Sequence, residues 1–386
     1  MFTFLRRAIP CPRHIINAIS PSPTFQLQLC LQTQWSSVRY AFSNASNGNS
    51  FTVSYLIDSC GFSPQEAEAA SKRVSLETRD KPDLVIGFLK SHGFSQPQIL
   101  RLIRIVPELL RYDPEKTFLP KIEFFKSRGI SSSHIPRLIC SSPNIMRRSL
   151  SKHLIPSFNF LRDLFQSDEK LIKSLQYSSV ILLDPKTFVV PKMELLREAG
   201  VPQSNIIKYL QFFSRTLTCS PGRLKKAVEE VKELGFDPLK FQFLVAVHVC
   251  ISLKKSTRDK KADVYKKWGC SDNDIVAAFR KFPVCMTLAE DQIDAKFEFL
   301  VNQLGCNPSN IIKYASVLGY SLKKRIVPRA AVLQVLLSKG LMKSETFLVN
   351  FMHTEKDFLR RFVLCHGQQV ANELLELYRT KLDQAR

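Results

Sequence analysis

Acidic residues are scarce in this 386-residue chain, where 34 Asp and Glu face 56 Lys and Arg and leave a formal charge of +22 at pH 7. Motifs for chemistry are missing as well. The 10 cysteines include no C-x-x-C pair, and the seven histidines show neither H-E-x-x-H nor an i, i+4 pairing, so no metal ligand set is expected. Several cysteines beyond the amino-terminal segment fall where a small apolar side chain packs well. Without G-x-x-x-x-G-K-[ST] or G-x-G-x-x-G there is no loop to cradle nucleotide phosphates. No catalytic residue, cofactor or small-molecule substrate is therefore expected, and the chain reads as a non-enzyme. Apolar runs are short: the longest, Phe241 to Leu253, is interrupted by Gln242, His248 and Ser252. A bilayer needs roughly 20 apolar residues, so this run predicts a buried helix and no membrane partner. Low-complexity tracts are absent too, with 21 Pro and 13 Gly dispersed through the chain. At 45% hydrophobic and 23% charged, the composition suits a soluble protein of two or three domains or one repeat array.

The first fifty residues hold Arg6, Arg7, Arg13 and Arg39 but no lysine, and the first acid is Asp58. Arg-rich, Ser-containing, acid-free leaders are characteristic of organellar transit peptides. Phe2, Phe4, Leu5, Ile9, Ile15 and Ile16 supply an apolar component that Arg6, Arg7, Pro10 and Pro12 break too often for a secretory signal. The expected organisation is a transit peptide over residues 1–42, a polar linker over 43–50 and a folded body over 51–386. The early Phe-Leu-Arg-Arg favours the mitochondrion, with the chloroplast as the alternative. Removing the four leader arginines leaves the body at +18.

The body repeats itself. Segments that close on glycine recur at Gly61, Gly93, Gly129, Gly200, Gly235, Gly269, Gly305 and Gly340, at intervals of 32, 36, 71, 35, 34, 36 and 35 residues. The value 71 is two periods, with Phe165 at the missing anchor, which makes about nine units. Apolar residues follow each anchor at offsets 6, 9, 10 and often 13: Ile99, Leu102, Ile103 and Val106 in one unit, Ile206, Tyr209, Leu210 and Phe213 in another. That spacing is one face of an α-helix. Ser95, Ser131, Ser204, Ser271 and Ser309 stand where they can cap it, and Gly suits the left-handed end of the helix before. At offset 14, Pro107, Pro143 and Pro283 stop the helix and imply a turn. A further helix follows, often introduced by Pro120, Pro156, Pro191 or Pro328. A helix pair of this size cannot bury its own stripe, so neighbours must stack. The predicted fold is all-α, an α-solenoid of about nine tandem repeats with its superhelical hand undecided.

This pattern resembles the mitochondrial transcription termination factor (mTERF) family, plant-type organellar members in particular. The units Gly93 to Phe125, Gly129 to Leu161 and Gly269 to Leu300 carry the likeness, which extends over residues 51–386. Phe165 departs from it, as do Ser179, Ser214, Val249 and Gly319 at the first-Pro position. The resemblance implies an organelle-imported solenoid binding double-stranded DNA or structured RNA along a basic surface. The roles it implies are transcription regulation or termination, intron splicing, or ribosomal RNA maturation. Pentatricopeptide repeats have a similar period, but the recurrent mid-unit Pro would interrupt one of their helices.

A +18 body attracts polyanions, because each phosphate that a Lys or Arg neutralises releases condensed counterions. Within the repeat, Arg101, Arg137, Lys208 and Lys313 stand at offset 8, away from the apolar stripe. Just past the turn stand Arg111, Arg147, Arg148, Lys254, Lys255, Lys323, Lys324 and Arg325. Stacking would align such offsets into a stripe, and these twelve residues are the candidate nucleic-acid contacts. Lys225, Lys226, Lys260 and Lys261 add basic density mid-chain, with Arg360 and Arg361 near the end. No aromatic ladder of the kind that stacks splayed bases is present. A protein-interaction scaffold for an acidic partner is the alternative that the charge also permits.

Overall fold

A computed structural model describes residues 47–342 and 347–384. The expected leader lies outside the described residues, and the helix Asn47–Asp58 begins within the expected linker. Every regular element among the described residues is helical, as the periodicity predicts. The chain forms two compact units, one ending at Gly222 and one beginning at Arg223.

Each unit is a stack of repeats. In the first, Gln96–Ile105 packs on Ile135–Ser141, which packs on Asp168–Tyr177, which packs on Gln203–Phe213; in the second, Phe241–Ser252, Asp272–Lys281 and Pro308–Lys313 do the same. These are the helices that the offsets locate. Ile99, Leu102, Ile103 and Val106 are fully buried, as are Ile206, Tyr209 and Leu210. Reciprocal capping starts two of them: Ser95 N donates to Gln98 Oε1 at 2.9 Å, and Ser271 N to Asp274 Oδ2 at 3.0 Å.

In most repeats the turn after this helix is itself a helix, an element beyond the two that the sequence predicts. Pro107–Arg111, Pro143–Arg147 and Pro283–Thr287 are 3₁₀ helices with proline at their first position. Proline lacks the N–H that a new helix would leave without a partner, and its fixed φ suits the start of one. Ser179 and Ser214 open equivalent 3₁₀ helices, Ser179–Leu182 and Ser214–Thr218, without the ring. Val249 does not: it lies inside the unbroken Phe241–Ser252. Gly319 ends the 3₁₀ helix Ala315–Gly319, where a Cβ would come within 2.6 Å of the Phe282 ring.

All eight anchor glycines have positive φ, from 63° to 91°. The ninth anchor falls one residue later than expected. Phe165 is a buried last residue of helix Ile155–Phe165, and the left-handed position is Gln166, with φ 49°. Among the described residues Gln166 is the only non-glycine in that region, which costs an L-residue roughly 1–2 kcal/mol. Gln166→Gly removes this strain and loses some of it to unfolded-chain entropy. The expected net is a stabilisation of about 0.5–1 kcal/mol, read as a raised urea midpoint with an unchanged slope.

A second device ties several of the repeats to the next. Lys121, Lys192, Lys261, Lys296 and Arg329 are all less than 8% exposed. Lys121 Nζ donates to Met146 O at 2.5 Å, Lys192 Nζ to Leu217 O at 2.5 Å, Lys261 Nζ to Met286 O at 3.0 Å, and Lys296 Nζ to Leu318 O at 2.6 Å. Each acceptor is the penultimate residue of the following repeat's 3₁₀ helix. Carbonyls at that end have no intrahelical partner and carry the negative end of the helix dipole, so a buried ammonium satisfies both. Arg329 closes the series, donating to Phe351 O and His353 O and pairing with Glu355 at 2.8 Å. In the repeat between Lys121 and Lys192, the residue after Pro156 is the buried Ser157, too short to reach.

Candidate nucleic-acid interface

The twelve candidate cations occupy two structurally repeated positions. Arg101, Arg137, Lys208 and Lys313 lie on the first helix of their repeats. Arg101 and Lys208 are half-buried, whereas Arg137 and Lys313 are exposed, the latter's Nζ 5.6 Å from the Tyr314 ring centroid. Burial drives the Cys140 thiol up to about 12, and the Arg101 charge opposes that rise, which places Arg101 within electrostatic reach of the next repeat's first helix.

The second position is the exit of the 3₁₀ helix. Arg111 and Arg147 are the last residues of theirs, and Arg148 follows directly. A cation there also complements the helix end. Lys254 and Lys255 open the helix Lys255–Lys267 after the unbroken segment. Lys323 and Lys324 lie in the π-helical turn Leu322–Ile326, which Ser321 caps by accepting from Lys324 N at 3.2 Å. Arg111, Arg137, Arg147, Lys255, Lys323 and Lys324 are exposed, and none takes part in an ion pair among the described residues.

Arg325 differs from its neighbours. Its guanidinium lies 3.7 Å from the Tyr320 ring centroid and donates to Phe351 O at 3.2 Å and His353 O at 2.7 Å, so much of its donor capacity is spent inside the fold. Lys261, expected to add surface charge, is one of the buried cations. The five internal cations make no outward contact, so fewer charges than +18 suggests are available to a ligand.

Charge sorting shows further residues that offset counting missed. Between Glu123 and Asp163 lie seven cations and no acid, and between Glu298 and Glu345 another seven without an acid. The first stretch adds exposed Lys126, Arg128 and Lys152, with the Arg128 guanidinium 5.3 Å from the Phe124 ring centroid and 5.6 Å from that of Phe158. The exclusion of acids was visible in the sequence and is the sharper signal. No group of three or more His, Cys, Asp or Glu is placed to hold a metal among the described residues, and none of their helices is long and apolar enough to cross a membrane. His248 sits in the apolar helix Phe241–Ser252, where burial takes its imidazole down to about 4 and keeps it neutral.

Comparison with known proteins follows the same lines. A family model described as mTERF matches residues 86–247 and again 183–359, more than half of the chain. Transcription termination factor MTERF8, chloroplastic, of Arabidopsis thaliana is 22% identical over 153 residues, 40% of this chain and 31% of its own length. Transcription termination factor MTERF15, mitochondrial, of the same plant is 23% identical over 214 residues, 47% of this chain and 48% of its own length. The chain thus spans about a third of one relative and about half of the other.

Proposed function

The chain belongs to the mTERF family, and from that premise we propose that it is an organellar nucleic-acid-binding protein that regulates organellar gene expression by occupying a duplex DNA site, without chemistry of its own. The observation that carries this reading is the pair of acid-free stretches in which the exposed cations Arg137, Arg147, Lys323 and Lys324 form no ion pair among the described residues, while Lys339 pairs with Glu373. Such a concentration of like charge repels itself unless a polyanion offsets it. Duplex is favoured over splayed single strands because Tyr177 and Phe188 are the only strongly exposed large aromatics among the described residues. Phosphate contacts position a protein on a duplex, and the choice of site then rests on groove contacts or on DNA shape. Residues 1–42 serve as the import leader in this reading, and both relatives carry organellar names.

Crosslinking in isolated organelles, followed by recovery and sequencing of the attached nucleic acid, tests the proposal. Recovery of discrete duplex DNA segments is the expected result. Recovery of transcripts alone would move the function to intron splicing or ribosomal RNA maturation, and recovery of neither would leave a protein-interaction scaffold.

A further inference from the structure

The residue two places beyond each 3₁₀ helix starts the next helix, and its identity varies from repeat to repeat. It is Asp113, Ser149, Asp184 and Ser220 in the unit ending at Gly222, and Ala289 and Ser321 in the unit beginning at Arg223. Lys254 holds the matching place after the unbroken segment. Asp113 accepts from Glu115 N and Lys116 N, Asp184 from Thr187 N, Ser149 from Lys152 N and Ser321 from Lys324 N, so Asp and Ser do the same structural work there.

Their electrostatic effects differ. The six residues Arg111 to Lys116 carry two cations and two acids, and Lys116 Nζ lies 3.7 Å from Asp113 Oδ2. Arg147 to Lys152 carry three cations and no acid. Leu182 to Thr187 carry Asp184 and Lys186, one of each sign, and Thr218 to Arg223 carry one cation, Arg223, whose guanidinium donates to Ile251 O. In the second unit, Ser252 to Thr257 carry two cations, Thr287 to Gln292 two acids, and Gly319 to Lys324 two cations. Apart from the Ser220 exit, whose one cation is engaged by the Ile251 carbonyl, the exits within each unit alternate between a cationic one and a neutral or acidic one. A uniform basic ladder, the arrangement that repeated offsets suggest, would show the same sign at each.

We infer that the grip on a polyanion is discontinuous: the exits at Arg147–Lys152, Lys254–Lys255 and Lys323–Lys324 contact phosphates, and the Asp113, Asp184 and Ala289 exits do not. The inference rests on the nucleic-acid reading above and assigns its contacts within that reading. Arg111, similar to Arg147 in position, is in this view a silent cation because Asp113 and Glu115 neutralise its surroundings. An acid beside it repels the phosphate that it would attract.

The test measures binding of the full chain to a random-sequence DNA duplex and to a structured RNA hairpin as a function of salt, since each lost phosphate contact lowers the slope of log K against log salt by about one. Arg111→Ala should leave the slope unchanged, and Arg147→Ala should lower it by about one. Asp113→Ser, which keeps a capping hydroxyl of the kind seen at Ser149 and Ser321, should raise it by about one and tighten binding several-fold. Ser149→Asp should weaken binding while leaving the circular dichroism spectrum intact. If Arg111→Ala and Arg147→Ala reduce the slope equally, or Asp113→Ser changes nothing, the alternation is wrong and nucleic-acid binding stands. If the unaltered chain shows no salt-dependent affinity for either probe, the nucleic-acid reading itself fails, and this assignment with it.

Discussion

Reversing Arg147, Arg148, Lys323 and Lys324 together to glutamate is expected to weaken duplex binding about a thousandfold or more near 100 mM salt, and to lower the salt slope by about four. The size follows from the surroundings of these side chains. Arg147, Lys323 and Lys324 are exposed, Arg148 is half-buried at the same exit, and the stretches that contain them hold no acid. Nothing nearby compensates for their loss, and each reversal adds a repelling carboxylate where an attracting cation stood. The fold should survive. The buried lattice beneath them consists of Ile145, Met146 and Ile326, which the substitutions do not touch, and the local cost is the small dipole penalty of an acid at a helix end, about 0.5 kcal/mol for each residue so placed. Titrations of the variant and the unaltered chain from about 50 to 200 mM salt, with matched circular dichroism, provide the measurement. Equal slopes would remove both exits from the interface.

What could be read from the residues, and what could not, separates along physical lines. The first helix of each repeat was legible because its evidence is local: a cap, a 3.6-residue apolar stripe and a glycine at the left-handed end. The 3₁₀ helix was not, because a proline after an apolar stripe fits a plain turn as well as the first residue of a new short helix. Gln166 was missed because a left-handed glutamine has no signature in sequence; Phe165, the apolar residue beside it, looked like the anchor. Val249 shows the opposite failure, since an apolar residue at the proline position simply lets Phe241–Ser252 run on. For the site, the positions of the exposed cations followed from offsets, but which of them face inward did not. Arg325 turns to the Phe351 and His353 carbonyls, and Lys261 to the carbonyls of Met286 and Leu288, partners 25 to 28 residues away that only the stacked fold brings near.

The buried lysines carry the largest expected effect on stability. Lys121→Ala should destabilise the fold by about 3 kcal/mol at pH 7, because it leaves a cavity where the butyl stem lay and strips Met146 O of its buried donor. Lys121→Met should cost far less, about 1 kcal/mol or below. Both substitutions strip Met146 O of its donor and both remove an ammonium that burial disfavours, lowering the Lys121 amine from 10.5 to about 8; methionine differs in refilling the volume. The same shift sets a pH signature. Below pH 8 the folded and unfolded chains both hold the proton, and the penalty for the buried charge is fully present. Between pH 8 and about 10.5 the folded amine is neutral while the unfolded one remains charged, so the unfolded state binds more protons and stability due to Lys121 rises with pH. The unaltered protein should therefore gain on Lys121→Met by on the order of 2–3 kcal/mol between pH 7.5 and 10, measured as the difference of their urea midpoints at each pH. Taking the difference cancels contributions common to both chains, among them the buried thiols of Cys60 and Cys285, whose raised pKa values act in the opposite sense over the same range. A constant difference across that range would mean that Lys121 titrates alike in both states, and that the carbonyl of Met146 fully offsets the desolvation of its ammonium.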